Sequence, residues 1–230
     1  MIYEDEIDRS KYKIEYNGEK FSKDLEAYKV IVIGRYGVGK TSIINSLMEK
    51  EVEGEYEPTM SIDIKNIQAK VNDKIIQISI WDSCGNDKFA QNTPNLFKNT
   101  YIALLVYAIN DKEKSFNELN IWYNILKEHS YGSIIFLIGN KNDLEKEREV
   151  TIEDAETFKN NKVDIKIFLE TSALKRNNMD KLLDYITISI YEKETKEENK
   201  IDDAMKPGRI TLKKEDFTKN KEKKKKKGCC

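Results

Sequence analysis

An α/β fold built on a mostly parallel sheet is what this sequence predicts, and three observations carry the prediction. Short all-apolar runs recur at 30–33, 102–107 and 134–138, with a weaker one at 165–169. Such runs are the pattern of strands buried on both faces of a sheet. Stretches of helical period lie between them, and alternation of the two indicates strand–helix–strand units. The first run leads through a glycine loop directly into a helix-like segment at 42–50.

That loop reads Gly34-Arg35-Tyr36-Gly37-Val38-Gly39-Lys40-Thr41. Strand, G-x-x-x-x-G-K-[ST] and helix, in that order, fit a loop that cradles phosphate. Glycines let successive N–H groups point into one concavity, and the helix start adds partial positive charge there. Lys40 can reach the outer phosphates, and the Thr41 hydroxyl can ligate Mg²⁺. The loop alone specifies a nucleoside triphosphate, not which one.

Before the first apolar run, residues 1–27 read as an extension. Tyr12, Ile14 and Tyr16 alternate ahead of Asn17-Gly18, a dipeptide favoured in tight hairpins, yet 13 of the first 26 residues are charged. The extension reads either as a small docked hairpin or as a disordered arm. The body spans 28–191. Segments 61–71 and 74–82 flank Asn72-Asp73 and predict an antiparallel hairpin. Within it Ile76, Ile78 and Ile80 alternate with Gln77 and Ser79, as in an edge region with one wet face. Phe116, Leu119, Tyr123 and Leu126 mark a helix with a capping box at Ser115 and Glu118, and Thr151 with Asp154 repeats that signal. Met179, Leu182, Leu183, Ile186 and Ile190 mark a last amphipathic helix. Residues 192–230 lose the apolar period and read as a flexible tail.

Charge is distributed unevenly. The tail holds 14 basic and 9 acidic residues, a net of +5, whereas the first 191 residues hold 26 and 32, a net of −6. A basic tail on an acidic body implies an anionic partner for the tail. Three cysteines, two of them terminal, exclude a disulfide framework and point to a reducing compartment. No apolar run approaches the roughly 18 residues of a membrane span, and the densely charged start offers no secretory signal.

Four more motifs lie where strands end, the edge at which open α/β sheets bind ligands. Asp82, in Trp81-Asp82-Ser83-Cys84-Gly85-Asn86-Asp87, can hold Mg²⁺, usually through water, and Gly85 offers an N–H to a terminal phosphate. Thr59, after Pro58, could become a second Mg²⁺ ligand while a terminal phosphate is present. Asn140-Lys141-Asn142-Asp143 is the selective motif. A carboxylate at Asp143 suits the paired N1–H and amine of guanine, while adenine would leave it unsatisfied. Asn140 can brace the loop and the Lys141 stem can lie over the base. Small residues in Glu170-Thr171-Ser172-Ala173 let backbone N–H groups approach a base carbonyl.

Together these motifs resemble those of the Ras superfamily of small GTPases, across about 28–191, and most resemble the Rab branch, through Trp81 and the terminal Gly228-Cys229-Cys230. The resemblance implies a P-loop G domain: a six-stranded, mostly parallel sheet with one antiparallel edge strand and about five helices on both faces. It implies GTP/GDP and Mg²⁺ as ligands, and GTP hydrolysis. Nucleotide contacts would come from Gly34, Arg35, Tyr36, Gly37, Val38, Gly39, Lys40, Thr41, Ser42, Tyr56, Thr59, Asp82, Gly85, Asn140, Lys141, Asp143, Thr171, Ser172 and Ala173. Mg²⁺ would sit at Thr41, Thr59 and Asp82, and Asn86 and Lys40 would carry catalysis. Segments 51–61 and 85–98 would present the nucleotide state to exchange factors, GTPase activators and effectors. The terminus is similar to those geranylgeranylated at two cysteines, here Cys229 and Cys230, which implies prenylation machinery as a partner.

Two residues depart from the family pattern. Asn86 stands where most members have glutamine, and its amide is withdrawn by about 1.5 Å, one C–C bond. Tyr36 stands where a small residue is usual, beside the terminal phosphate. Both predict slow hydrolysis and a bias toward the GTP-bound form, with a non-hydrolysing GTP-bound scaffold as the alternative. In the tail, five consecutive lysines, Lys223 to Lys227, precede the cysteines. One lipid chain holds a membrane only marginally, so lipid plus a polybasic patch makes an anchor. The expectation is the cytoplasmic face of an intracellular or plasma membrane, with a soluble cytosolic pool, and no nucleic-acid partner.

Overall fold

The structure is a computed structural model that describes residues 7–18, 22, 25–50, 62–83 and 94–205, with side chains described as far as 197. The chain divides into two units, Met1–Tyr191 and Glu192–Cys230.

The first unit is built on a seven-stranded sheet. Its strands are β1 (Ile14–Tyr16), β2 (Ala27–Ile33), β3 (Asp63–Val71), β4 (Lys74–Asp82), β5 (Ile102–Ala108), β6 (Ile134–Asn140) and β7 (Ile165–Glu170), in the order β1-β3-β4-β2-β5-β6-β7. From β4 to β7 every neighbour is parallel, while β3 pairs antiparallel with β4 and β1 with β3. The six expected strands are present. Among the described residues, the seventh comes from the extension: Ile14 opposes Val71 and Tyr16 opposes Ala69. Tyr12 and Ile14 pack against the core, and the Tyr16 hydroxyl donates to Asp184 at 2.7 Å.

Four α-helices occur among the described residues: α1 (Lys40–Leu47), α2 (Leu119–His129), α3 (Ile152–Asn160) and α4 (Met179–Met205). Pleating divides the core between the faces. Val30, Val32, Leu104, Val106 and Ile138 meet α1 and α4 through Ile43, Leu47, Leu182, Ile186 and Ile190. Ile31, Ile33, Ala103, Leu105 and Leu137 meet α2 and α3 through Leu119, Trp122, Leu126 and Ala155. Strands such as β5, buried at every residue, therefore read as unbroken apolar runs.

Three local readings are corrected. The Ser115–Glu118 capping box does not form. A π-helical turn, Lys112–Phe116, occupies that position with Asp111 as its cap, and the Ser115 hydroxyl donates to the Asp111 carbonyl at 2.5 Å. The Thr151–Asp154 box, by contrast, is complete on α3. β4 is not an edge strand, and Gln77, at 1% exposed, is not on a wet face. Its amide accepts from the Ser22 N–H at 2.8 Å and donates to the Ser22 and Leu25 carbonyls, so the extension supplies the polar partners. Finally, part of the segment read as a flexible tail is helical: Glu192 to Met205 continue α4. This stretch is rich in good helix formers, and Glu192 pairs with Lys196 one turn on.

Candidate functional site

Strand β2 ends at Ile33, and the chain must turn sharply to start α1 at Lys40. Gly34 and Gly39 make the turn. Both have positive φ, +143° and +93°. A Cβ on Gly34 would lie 2.2 Å from the Val106 carbonyl oxygen of β5, and one on Gly39 would lie 2.4 Å from the Asn140 side chain. The loop thus passes too close to its neighbours for any side chain at these positions.

Lys40 is buried, and its ammonium donates to the carbonyls of Gly34 (3.0 Å) and Arg35 (2.9 Å). The Thr41 hydroxyl donates to Asp82 Oδ2 at 2.6 Å, joining the start of α1 to the end of β4. Asp82 is 3% exposed, and its other oxygen, Oδ1, is buried with no hydrogen-bond partner among the described residues. Burial pushes this carboxyl above the usual carboxylate range, against the Thr41 bond and the Lys40 charge. A buried carboxylate oxygen with an open valence beside a hydroxyl is a donor set for a hard divalent cation, so Thr41 and Asp82 fit Mg²⁺.

The predicted base motif is drawn onto the same edge by Asn140. Its amide donates to the Val38 carbonyl at 2.9 Å, and its oxygen accepts from the Thr171 hydroxyl (3.3 Å) and the Ala173 N–H (3.2 Å). One 2%-exposed side chain thus ties the glycine loop to both other motifs. Lys141 takes a left-handed conformation, φ +68°, which turns the chain out of β6, and burial lowers the pKa of its ammonium. The Ser172 hydroxyl donates to Asp143 Oδ1 and accepts from the Lys175 N–H at 3.0 Å. The Ala173 N–H, in the last of the predicted motifs, donates to the Asn140 side chain.

Sequence reading missed a clamp beneath this region. Arg148 makes a bidentate pair with Glu170, at 2.7 and 2.8 Å, and a second with Glu145, while donating to the Val150 carbonyl. It therefore links the turn after Asp143 to the strand end before Thr171. Contacts with Glu170 and then Glu145 hold the guanidinium pKa above its ordinary value. Arg148→Ala would leave the mostly buried Glu170 carboxylate without its partner. The expected result is about 2 kcal/mol lower stability in equilibrium denaturation. No spacing rule announces such a pair, because it depends on how β6 and β7 lie side by side.

At the loop's outer rim Arg35 turns away from the cradle. Its guanidinium forms an ion pair with Glu118, the residue before α2, which explains why Glu118 does not cap its own helix. Tyr36 is 58% exposed, with the Arg35 guanidinium 4.9 Å from its ring centre. Ser42 and Val38 lie on α1 and the loop as expected. Tyr56, Thr59, Gly85, Asn86, Cys229, Cys230, the run from Lys223 to Lys227, segment 51–61 and 85–93 all lie outside the described residues. No helix among the described residues is long and apolar enough to cross a membrane.

Residues 29–192 match the model of the Ras family. The Ras-related protein Rab-11C of Dictyostelium discoideum is 32% identical over 166 residues, covering 71% of this chain and 72% of that protein. The Ras-related protein Rab-11B of the same organism is 31% identical over 172 residues, covering 73% and 77%.

Proposed function

Because this chain belongs to the Ras family of small GTPases and is Rab-like, we propose that it is a membrane-attached switch. It alternates between GTP- and GDP-bound states and acts in vesicle traffic. Ras-family GTPases bind guanine nucleotide, and one observation in particular supports the assignment of residues here. Asn140 joins the phosphate loop, Thr171 and Ala173 around one edge of the sheet, with Asp143 held beside them by Ser172. A phosphate cradle and a base-reading carboxylate on one rigid frame suit a nucleotide laid across the strand ends.

In this reading the loop N–H groups and Lys40 bind the phosphates, and Asp143 pairs with the guanine N1–H and amine. Lys40 must exchange its carbonyl partners for phosphate oxygens, a substitution of stronger acceptors for weaker ones. Thr41, Thr59 and Asp82 would hold Mg²⁺, which would supply positive charge to the phosphate oxygens. The Asn86 amide orients the water that attacks the terminal phosphorus, and Lys40 offsets charge that develops as the bond to the leaving oxygen breaks. Segments 51–61 and 85–98 present the nucleotide state to exchange factor, activator and effectors. Lipidated Cys229 and Cys230, with Lys223 to Lys227 on an anionic leaflet, hold the protein at the cytoplasmic face of a membrane.

Hydrolysis is slow in this reading, because Asn86 is one methylene shorter than the glutamine usual in the family. A misplacement of about 1 Å costs on the order of 100-fold. Asn86→Gln should accelerate single-turnover GTP hydrolysis by roughly 10- to 100-fold. An unchanged rate would remove Asn86 as the cause. If wild-type protein also fails to turn over GTP with an activator present, the GTP-loaded scaffold is the better reading.

A further inference from the structure

Tyr36 poses a steric question. In the proposed reading it stands beside the terminal phosphate, where a freely rotating phenol would sweep the space the phosphate needs. The structure shows what restrains it. Arg35 Nη1 forms the ion pair with Glu118, and the same nitrogen lies 3.4 Å from the Lys114 carbonyl. Arg35 Nη2 is 3.4 Å from the Tyr36 hydroxyl, and the guanidinium carbon sits 4.9 Å from the ring centre. Arg35 is thus fixed at both ends. Its carbonyl takes the Lys40 ammonium, and its guanidinium is docked on the turn that leads into α2. Guanidinium over an aromatic face is an attractive contact, so the ring follows the arginine. Gly37, with φ +79° and nothing within 4 Å of a Cβ, supplies a conformationally free link beside it.

We propose that Arg35, docked on Glu118, is a positioning residue that holds the Tyr36 phenol at the outer rim and so keeps the terminal-phosphate part of the cradle open. This inference rests on the proposed nucleotide site. It assigns a selective consequence, because GDP lacks the phosphate that a released phenol would obstruct. Arg35 and Glu118 therefore set the ratio of GTP to GDP affinity through Tyr36, without touching the nucleotide with their side chains.

The test measures Kd for GDP and for a non-hydrolysable GTP analogue, both with Mg²⁺, on the full chain. Arg35→Ala and Glu118→Gln should each lower the GTP-analogue to GDP affinity ratio about fivefold, the scale of one guanidinium–aromatic contact. The double variant Arg35→Ala with Tyr36→Gly should return the ratio to that of Tyr36→Gly alone. A general loosening of the loop would instead weaken both nucleotides equally. An unchanged ratio in the single variants overturns the proposal, and so does a loss that persists when Tyr36 is glycine, since Arg35 would then act without the ring. Failure of the wild-type protein to bind either guanine nucleotide overturns the site itself, and the pin with it. Normal wild-type binding with an unmoved ratio overturns only the pin.

Discussion

Asp143→Asn is expected to lower GTP and GDP affinity by on the order of 1,000-fold, and to raise affinity for xanthosine diphosphate above that for GDP. Guanine presents two adjacent N–H donors, and a carboxylate accepts both. An asparagine amide offers one acceptor and one donor, so one guanine N–H meets another N–H. Losing one charge-assisted pair and creating a buried mismatch costs about 4 kcal/mol, which is the stated fold-change. Xanthine carries a carbonyl where guanine carries its amine, so the asparagine donor finds an acceptor. Asp143 is held by the Ser172 hydroxyl, and asparagine retains an oxygen for that bond, so the loop should keep its shape. Equilibrium binding of fluorescent GDP, competed by unlabelled GDP and xanthosine diphosphate, reads the exchange directly. Equal GDP affinity in the two proteins would show that Asp143 does not read the base.

Gly34→Ala carries the second large effect, on the frame rather than the ligand. The added methyl would sit 2.2 Å from a backbone oxygen of β5, and the residue has φ +143°. Neither is relieved by a side-chain rotation, because the obstruction is the Val106 carbonyl, inside a strand paired on both sides. Backbone strain of about 1–3 kcal/mol and overpacking of about 1–3 kcal/mol combine to roughly 4 kcal/mol. That is a large fraction of the stability of a domain of this size. Gly37→Ala is the internal control. It has φ +79° and open space around its Cβ, so only strain of about 1–2 kcal/mol applies. Equilibrium urea denaturation of the three proteins should rank wild type, then Gly37→Ala, then Gly34→Ala by a clear margin. Equal losses in the two variants would mean that close approach to β5 contributes nothing.

Much of this fold is legible in the sequence because burial on both faces of a sheet leaves a plain signature. The runs at 30–33 and 102–107 need no alternation, since both pleat directions meet helices. The Asn72-Asp73 turn is legible because Asn72 adopts the positive φ that asparagine tolerates, +53°. What sequence reading missed is long-range. Gln77 looks solvent-facing in an alternating strand, yet Ser22 and Leu25, more than 50 residues earlier, supply its partners. Glu118 fits a capping box by spacing, yet an arginine 83 residues away competes for it and wins, because an ion pair outweighs one capping bond.

The site divides along the same line. Each motif is local and can be read by eye: a glycine loop, an aspartate closing a strand, Asn140 to Asp143, and Thr171 to Ala173. The couplings are not. Nothing in the spacing says that Thr41 will bond Asp82, that Ser172 will hold Asp143, or that Arg148 will brace the turns at Asp143 and Thr171. Those contacts follow from strand order, with β2 seated between β4 and β5, and β6 beside β7. Within the glycine loop, Tyr36 carried a visible warning, as a large ring in a loop built for small residues. The structure gives that ring a partner in Arg35.

In the proposed function one guanine nucleotide occupies the edge framed by Lys40, Thr41, Asp82, Asn140 and Asp143. Native mass spectrometry of the full chain, followed by chromatography of the released ligand, tests it most directly. One GDP or GTP per chain is expected, displaced by added GDP and not by ADP. An adenine nucleotide in the site, or a chain that takes up no guanine nucleotide when supplied with GDP and Mg²⁺, would contradict it.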